Sequence, residues 1–363
     1  MSETCYTRLA THLDQLPGGF APSDTGADIR LLQRLFSAEE ADLATHLTLD
    51  RESASAIAGR ANLSTTEAEQ RLSEMSRKGL IFSVQLEDGA TLYQAVPFII
   101  GIYEFQVNNL SEDLVSNLDE YWSTIKPRQR PQTIPQMRTI PVGKSIEPHL
   151  EALPYEQVHE LVKASDRFAV APCICRRTAK ILGAGCDAPE DSCLIFGDWA
   201  DYYVRDGRAR SIDQSEVMKI LARADAANLV LQPSNSREIA FICCCCGCCC
   251  GILGSLQSNP KPAEIVASAF IAKHQPEVCE GCLICLERCQ MQAFTAEVDR
   301  VRLDTGRCIG CGLCVSTCPS GALSLVRKPD SERTRVLATM NVTWHTISQA
   351  QNEVSPLTRA AGS

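Results

Sequence analysis

Eight cysteines near the C-terminus carry the strongest chemical signal in this chain. Cys279, Cys282, Cys285 and Cys289 stand in a C-x2-C-x2-C-x3-C run. Cys308, Cys311, Cys314 and Cys318 repeat it, and Pro319 closes the second run. Three thiolates two residues apart on a tight loop can grip three corners of one iron–sulfur cubane. Zinc also binds C-x2-C pairs, but it does not require a three-plus-one arrangement twice. A shift of 29 residues lays Cys279 on Cys308, Gly281 on Gly310, Ala293 on Ala322 and Phe294 on Leu323, so the two runs form an internal repeat. Glycines at 281, 310 and 312 suit a loop whose backbone N–H groups must turn towards sulfur.

The repeat resembles the bacterial 2[4Fe-4S] ferredoxin domain over residues 276–326, about one seventh of the chain. In that family the fourth cysteine of each run serves the other cluster. The resemblance therefore implies one cluster on Cys279, Cys282, Cys285 and Cys318, and a second on Cys308, Cys311, Cys314 and Cys289. It also implies low-potential electron transfer. One departure stands out: Gln290 occupies the place that proline takes at Pro319. It removes no ligand.

A second concentration of thiols lies upstream. Cysteines fill seven of the eight positions from 243 to 250, around Gly247, and four more stand at 173, 175, 186 and 193. Free thiols this dense oxidise or scavenge metal unless something holds them. The expectation is a further iron–sulfur site on Cys173, Cys175, Cys186, Cys193, Cys245 and Cys246. Contiguous cysteines cannot all face one metal, so several of the seven are expected to stay unliganded. A zinc site and a redox-active disulfide store are the alternatives. The stretches A-P-C-I-C-R and C-C-C-C-G-C-C-C-G are similar to those of uncharacterised 4Fe-4S binding proteins of anaerobic bacteria, which implies no particular activity. The resemblance to the C-C-G modules of heterodisulfide reductases stops at paired cysteines before glycine, so their non-cubane cluster is not carried over.

The elements that must position these thiols point to a multidomain α+β chain. Residues up to 28 read as a loose lead-in. Residues 28–100 read as helices followed by a hairpin, 81–86 with 91–96, around the turn at Gly89. Ser37 and Glu40 form a capping box at one helix start. This order, closing on K-G-L-I, resembles a winged helix-turn-helix, which implies DNA binding through residues 65–78. The charge opposes it: residues 28–100 hold 7 Lys or Arg against 11 Asp or Glu, a balance of −4. Nucleic acid is therefore an unfavoured partner. Apolar residues Leu80, Ile81, Phe98 and Ile99 are expected to dock against the middle domain or a second copy of the chain, so a homo-oligomer through this domain is one of two expectations.

Residues 101–150 read as a connector, with one amphipathic helix and then a proline-rich arm made basic by Lys126, Arg128, Arg130 and Arg138. Residues 151–275 read as a mixed α/β cysteine-rich domain, 276–328 as the ferredoxin domain and 329–363 as a polar tail. A helix is expected over 260–273, docking the last two domains together.

Composition narrows the function. No stretch approaches the ~18 apolar residues of a membrane span, and no basic-then-apolar leader opens the chain. The expectation is a soluble, cytoplasmic protein. Of its 20 cysteines 19 lie at or beyond Cys173, and with ferredoxin spacing present metal ligation is a better reading than disulfides. A net charge of −9 argues against general nucleic-acid affinity. Walker loops, dinucleotide fingerprints and H-E-x-x-H sites are missing. The expected function is low-potential electron transfer with a redox protein or oxidoreductase as partner. Alternatives are a redox-responsive regulator using the winged helix, or an iron–sulfur oxidoreductase with its active site at residues 243–250.

Overall fold

The computed structural model describes residues 4–125, 134–146 and 150–359 and divides into two compact units. The first comprises Met1–Gln136, Asp201–Arg208 and Asn341–Ser363; the second comprises Met137–Ala200 and Ala209–Met340.

In the first unit, serines start the helices. Ser37 accepts from the Glu40 N–H while the Glu40 carboxylate accepts from the Ser37 N–H, so the expected capping box opens Ala38–Ala44. Ser53 and Ser64 cap Ala54–Ala61 and Thr65–Lys78 in the same way. The helix Thr65–Lys78 ends at Gly79, whose φ of +75° is a left-handed cap. Strands Phe82–Gln85 and Thr91–Gln94 pair antiparallel, with Glu52–Ser53 on the other edge of Thr91–Gln94.

The expected lead-in contains the helix Cys5–Gln15, which buries Leu9 and Leu13. The expected polar tail contains the helix Met340–Arg359. Its Trp344 is 1% exposed and donates from Nε1 to Gln136 Oε1 at 2.7 Å. Both ends therefore belong to the core of this unit. Leu80, Ile81 and Phe98 are also covered within it. Phe20 lies 4.9 Å from Phe98 and 4.9 Å from Tyr121, ring centre to ring centre. The Tyr202 hydroxyl donates to the carbonyls of Ser76 and Ile81. Burial of these residues within one chain removes the reason to expect a second copy.

His12 tests this packing. Its Nε2 is buried and has no hydrogen-bond partner. Burial, with a smaller push from His46, lowers its pKa from 6.5 to about 4. The unfolded chain takes up a proton here as the pH falls through 6.5, whereas the folded chain resists until about 4. The stability that comes from keeping this ring neutral is complete above 6.5 and is lost progressively as the pH drops towards 4. At ~1.4 kcal/mol per pH unit the loss reaches roughly 3 kcal/mol. A His12→Leu variant should flatten the pH dependence of the first unit's urea midpoint over this window. An unchanged slope would rule out His12 as its source.

The second unit is built on a five-stranded antiparallel sheet. Its spatial order is Arg210–Ile212, Phe168–Pro172, Asp191–Phe196, Phe241–Cys245, Val230–Pro233. The helices Val158–Lys163 and Gln214–Ala226 place Leu161, Val162, Val217 and Ile220 in the same core as this sheet. Ferredoxin-type elements follow: the short helix Ile284–Arg288, the pair Phe294–Ala296 with Val301–Leu303, and the pair Phe270–His274 with Leu323–Arg327.

The helix expected over 260–273 is one turn only, Pro262–Ile265. The segment then becomes the strand Phe270–His274, because its backbone pairs with Leu323–Arg327. Phe270 and Ala272 face the core while Lys273 faces out. Of the expected basic arm, Lys126, Arg128 and Arg130 lie outside the described residues. Arg138 is 4% exposed and donates to the carbonyls of Ser234, Ser236 and Tyr155, so it is a packing residue of the second unit. Among the described residues no helix is long and apolar enough to cross a membrane.

Candidate metal centres

The ferredoxin-type cysteines fall into two neighbourhoods. Cys279, Cys282, Cys285 and Cys318 line one concavity, which Cys314 also borders, with Val301, Ala322 and Leu323 among its walls. Cys308, Cys311 and Cys314 face Cys289, and Cys314 also neighbours Cys285. The short helix Ile284–Arg288 lies between Cys282 and Cys289, and the strand Leu323–Arg327 follows Cys318.

The surroundings suit anionic sulfur. The Ala272 N–H donates to Cys308 Sγ and the Ala293 N–H to Cys289 Sγ, both at 3.3 Å. Gly310 has φ +71°, and a Cβ there would overlap the Phe270 carbonyl oxygen. Gly312, at φ +73°, similarly has no room beside Ser145. Thiol donors, inward N–H groups and side-chain-free turns are what a [4Fe-4S] cluster needs. Burial raises the pKa of Cys285, Cys289, Cys308, Cys311 and Cys314. Burial pushes Cys285 up to about 11 and Cys311 up to about 12, so cluster assembly must displace those protons.

The upstream thiols separate by strand geometry. In Phe241–Cys245 successive side chains alternate faces. Cys243 and Cys245 share one face with Cys193, Cys173, Cys175 and Cys250. Cys193 contacts Cys243, Cys243 contacts Cys245, Cys245 contacts Cys250, Cys250 contacts Cys175 and Cys175 contacts Cys173. Cys244 points to the opposite face and is 2% exposed. Beyond the strand the chain turns, and Cys246, Cys248 and Cys249 meet Cys186.

The six cysteines expected to form one site are thus divided. Cys173, Cys175, Cys193 and Cys245 belong to the first group, and Cys186 and Cys246 to the second. Sequence reasoning left out Cys243 and Cys250, although the two-residue period that joins Cys243 to Cys245 was readable from the strand.

The six-thiol group shares its protons. Donation from the Cys193 and Cys245 thiols holds Cys243 down at about 5, and donation from Cys175 and Cys245 pulls Cys250 well below the usual thiol range. Arg176 stands beside this charge and is 0% exposed. Its guanidinium donates to the Pro189 carbonyl at 2.9 Å, to Ser192 Oγ and to the Cys244 carbonyl at 2.8 Å. Burial works against its charge, but the sulfurs of Cys173, Cys246 and Cys245 outweigh burial and hold the proton more firmly than usual.

Gln290 joins the two regions. Its Oε1 accepts from the Gly247 N–H at 2.8 Å, and its Nε2 donates to the Asn228 carbonyl at 2.8 Å. Its own carbonyl accepts from Gln257 at 2.6 Å. Next to it, Arg288 and Asp225 form a largely buried ion pair at 2.6 Å.

A 4Fe-4S binding domain family matches residues 301–324. Hydrogenase-4 component A of Escherichia coli is 38% identical over 71 residues, 19% of this chain and 33% of that protein. A protein of Methanothermobacter thermautotrophicus named only as uncharacterized is 44% identical over 54 residues, 14% of this chain and 11% of that protein. The chain therefore spans a third or less of these curated relatives. No solved structure matches it. The family match and the cysteines gathered around it indicate [4Fe-4S] cluster binding in this part of the chain.

Proposed function

We propose that the chain relays low-potential electrons through two [4Fe-4S] clusters, held by Cys279, Cys282, Cys285 and Cys318 and by Cys308, Cys311, Cys314 and Cys289, with a further cluster in the six-thiol group around Cys243. The observation that carries this reading is the concavity that gathers Cys318 with three cysteines of the other run. When bound, each cluster supplies a site that accepts and gives up one electron. The residues of the chain do the rest. The thiolates hold the iron, the N–H groups of Ala272 and Ala293 offset negative charge on sulfur, and the exposed Cys282 leaves one edge open to a partner. That partner is a redox protein or oxidoreductase, in keeping with a relative whose name makes it a component of a hydrogenase.

The first unit has the helix-and-hairpin order of a winged helix, and it is better suited to docking protein than DNA. In the helix that would enter a groove, Arg71 pairs with Glu67 and Lys78 with Glu40, both at 2.6 Å. Phosphate contact needs such cations on an open basic face.

Anaerobic iron and sulfide analysis with EPR tests the proposal. The full chain should contain more than about eight iron and eight sulfide. Cys318→Ser should disturb the cluster at Cys279, Cys282 and Cys285 and spare the one nearer in sequence. Loss confined to the Cys308–Cys314 cluster would contradict the crossed ligation.

A further inference from the structure

We infer that Cys186, Cys246, Cys248 and Cys249 form a separate mononuclear site that binds one thiophilic divalent ion, Zn²⁺ or Fe²⁺, through four thiolates. The argument is the size of the quartet. All four Sγ atoms lie within 4.8 Å of one another. The Cys186–Cys246 distance is 3.8 Å, Cys186–Cys249 is 3.6 Å and Cys248–Cys249 is 3.7 Å. With a metal–sulfur bond of ~2.3 Å, the edge of a regular tetrahedron is about 3.8 Å. One ion at the centre therefore reaches all four sulfurs. The thiolates of a cubane each bind a different iron and must stand considerably farther apart. Among the described residues, neither the ferredoxin-type cysteines nor the six-thiol group draws together in this compact way.

The backbone explains how the quartet forms. Cys186 is in the loop beyond the helix Ile174–Ile181, and the other three are in the turn beyond the strand Phe241–Cys245. Gly247 leaves room for two side-chain amides over this turn, since a Cβ there would lie 2.4 Å from Gln257 Nε2 and 2.7 Å from Gln290 Oε1. The burial grades outward, from buried Cys246 through half-buried Cys186 and Cys249 to exposed Cys248, so the ion can enter from solvent. Binding replaces the remaining S–H protons by the ion, releases those protons to water and moves no electrons. The bound ion would clip the 182–190 loop to the turn that also carries Cys250 of the six-thiol group. The site is thus a structural clasp beside a redox centre.

The test uses the full chain purified anaerobically, with metal, acid-labile sulfide and EPR measured together. Cys248→Ser, at the exposed corner, should lose one metal ion per chain and no sulfide, with the [4Fe-4S] signals intact. Cys5→Ser, at a thiol of the first unit, should lose nothing. Independently of any variant, Co²⁺ added to metal-stripped wild type should give the intense visible ligand-field bands of a tetrahedral thiolate. Loss of about four iron with four sulfide on Cys248→Ser would assign the quartet to a cluster and overturn the inference. An unchanged metal content without the cobalt spectrum would overturn it equally, leaving four free thiols. Neither outcome bears on the eight ferredoxin-type ligands, whose iron and sulfide are counted separately.

Discussion

Gly310→Ala is expected to empty the cluster site proposed on Cys308, Cys311, Cys314 and Cys289 and to destabilise the second unit by about 3–5 kcal/mol. Two costs combine. At φ +71° an L-residue pays ~1–2 kcal/mol for the left-handed backbone alone. The added methyl would also overlap the Phe270 carbonyl oxygen and stand 2.8 Å from its carbon. That carbonyl cannot retreat freely, because Phe270 pairs with Arg327 at the end of the Leu323–Arg327 ladder. Gly321→Ala separates the two costs. Gly321 has φ +67° in the same region, but nothing lies within 4 Å of the added Cβ. It should pay the backbone term and keep its iron. Urea midpoints with iron and sulfide counts on both variants decide the matter; equal, small effects would show that the close approach to Phe270 is unimportant.

This contrast bears on what could be read from the chain beforehand. The ferredoxin-type ligands were legible because cluster chemistry imposes a short, local spacing on cysteine and glycine. The hairpin around Gly89 was legible for the same reason, as alternation and turn chemistry both act over a few residues. The strand Phe270–His274 was not. Ile265, Val266, Ala269 and Phe270 have helical spacing, and the competing strand pattern wins only through pairing with residues about fifty positions away. The N-terminal stretch read as a loose lead-in and the C-terminal one only as a polar tail, although Leu9 with Leu13 and Met340 with Trp344 and Ile347 carry the helical period.

The site divides along the same line. Cys243 and Cys245 share a face by strand geometry, which is local. The turn that takes Cys246, Cys248 and Cys249 over to Cys186 depends on residues sixty positions apart, and no spacing rule announces it. Gln290 is the instructive case. In the sequence it stands out only as a departure from a proline pattern that removes no ligand. In the structure its amide and carbonyl bridge Gly247, Asn228 and Gln257. Proline offers no side-chain donor or acceptor for such a bridge, so the departure is what ties the ferredoxin segment to the cysteine-rich turn.

The second large effect is expected at Arg176. Arg176→Met keeps much of the side-chain volume but removes a fully buried cation from beside the six-thiol group. Cys173, whose pKa is lowered first by the Cys175 hydrogen bond and further by Arg176, then loses this nearby cation, and the carbonyls of Pro189 and Cys244 lose the donors that Arg176 supplies. Removing one partner of a buried charge arrangement typically costs about 3–5 kcal/mol. The same loss should weaken metal retention, because a site holding several thiolates repels its own charge. The variant is expected to lose the iron and sulfide attributable to the six-thiol group and to keep the EPR signals of the ferredoxin-type clusters. Arg176→Lys distinguishes charge from geometry. It retains the cation but cannot reproduce the planar fork that reaches Pro189, Ser192 and Cys244 together, so partial retention of iron is the expected result. Full iron content and an unshifted urea midpoint in Arg176→Met would mean that the thiols carry no net charge in need of compensation, and the further-cluster reading would lose its electrostatic basis.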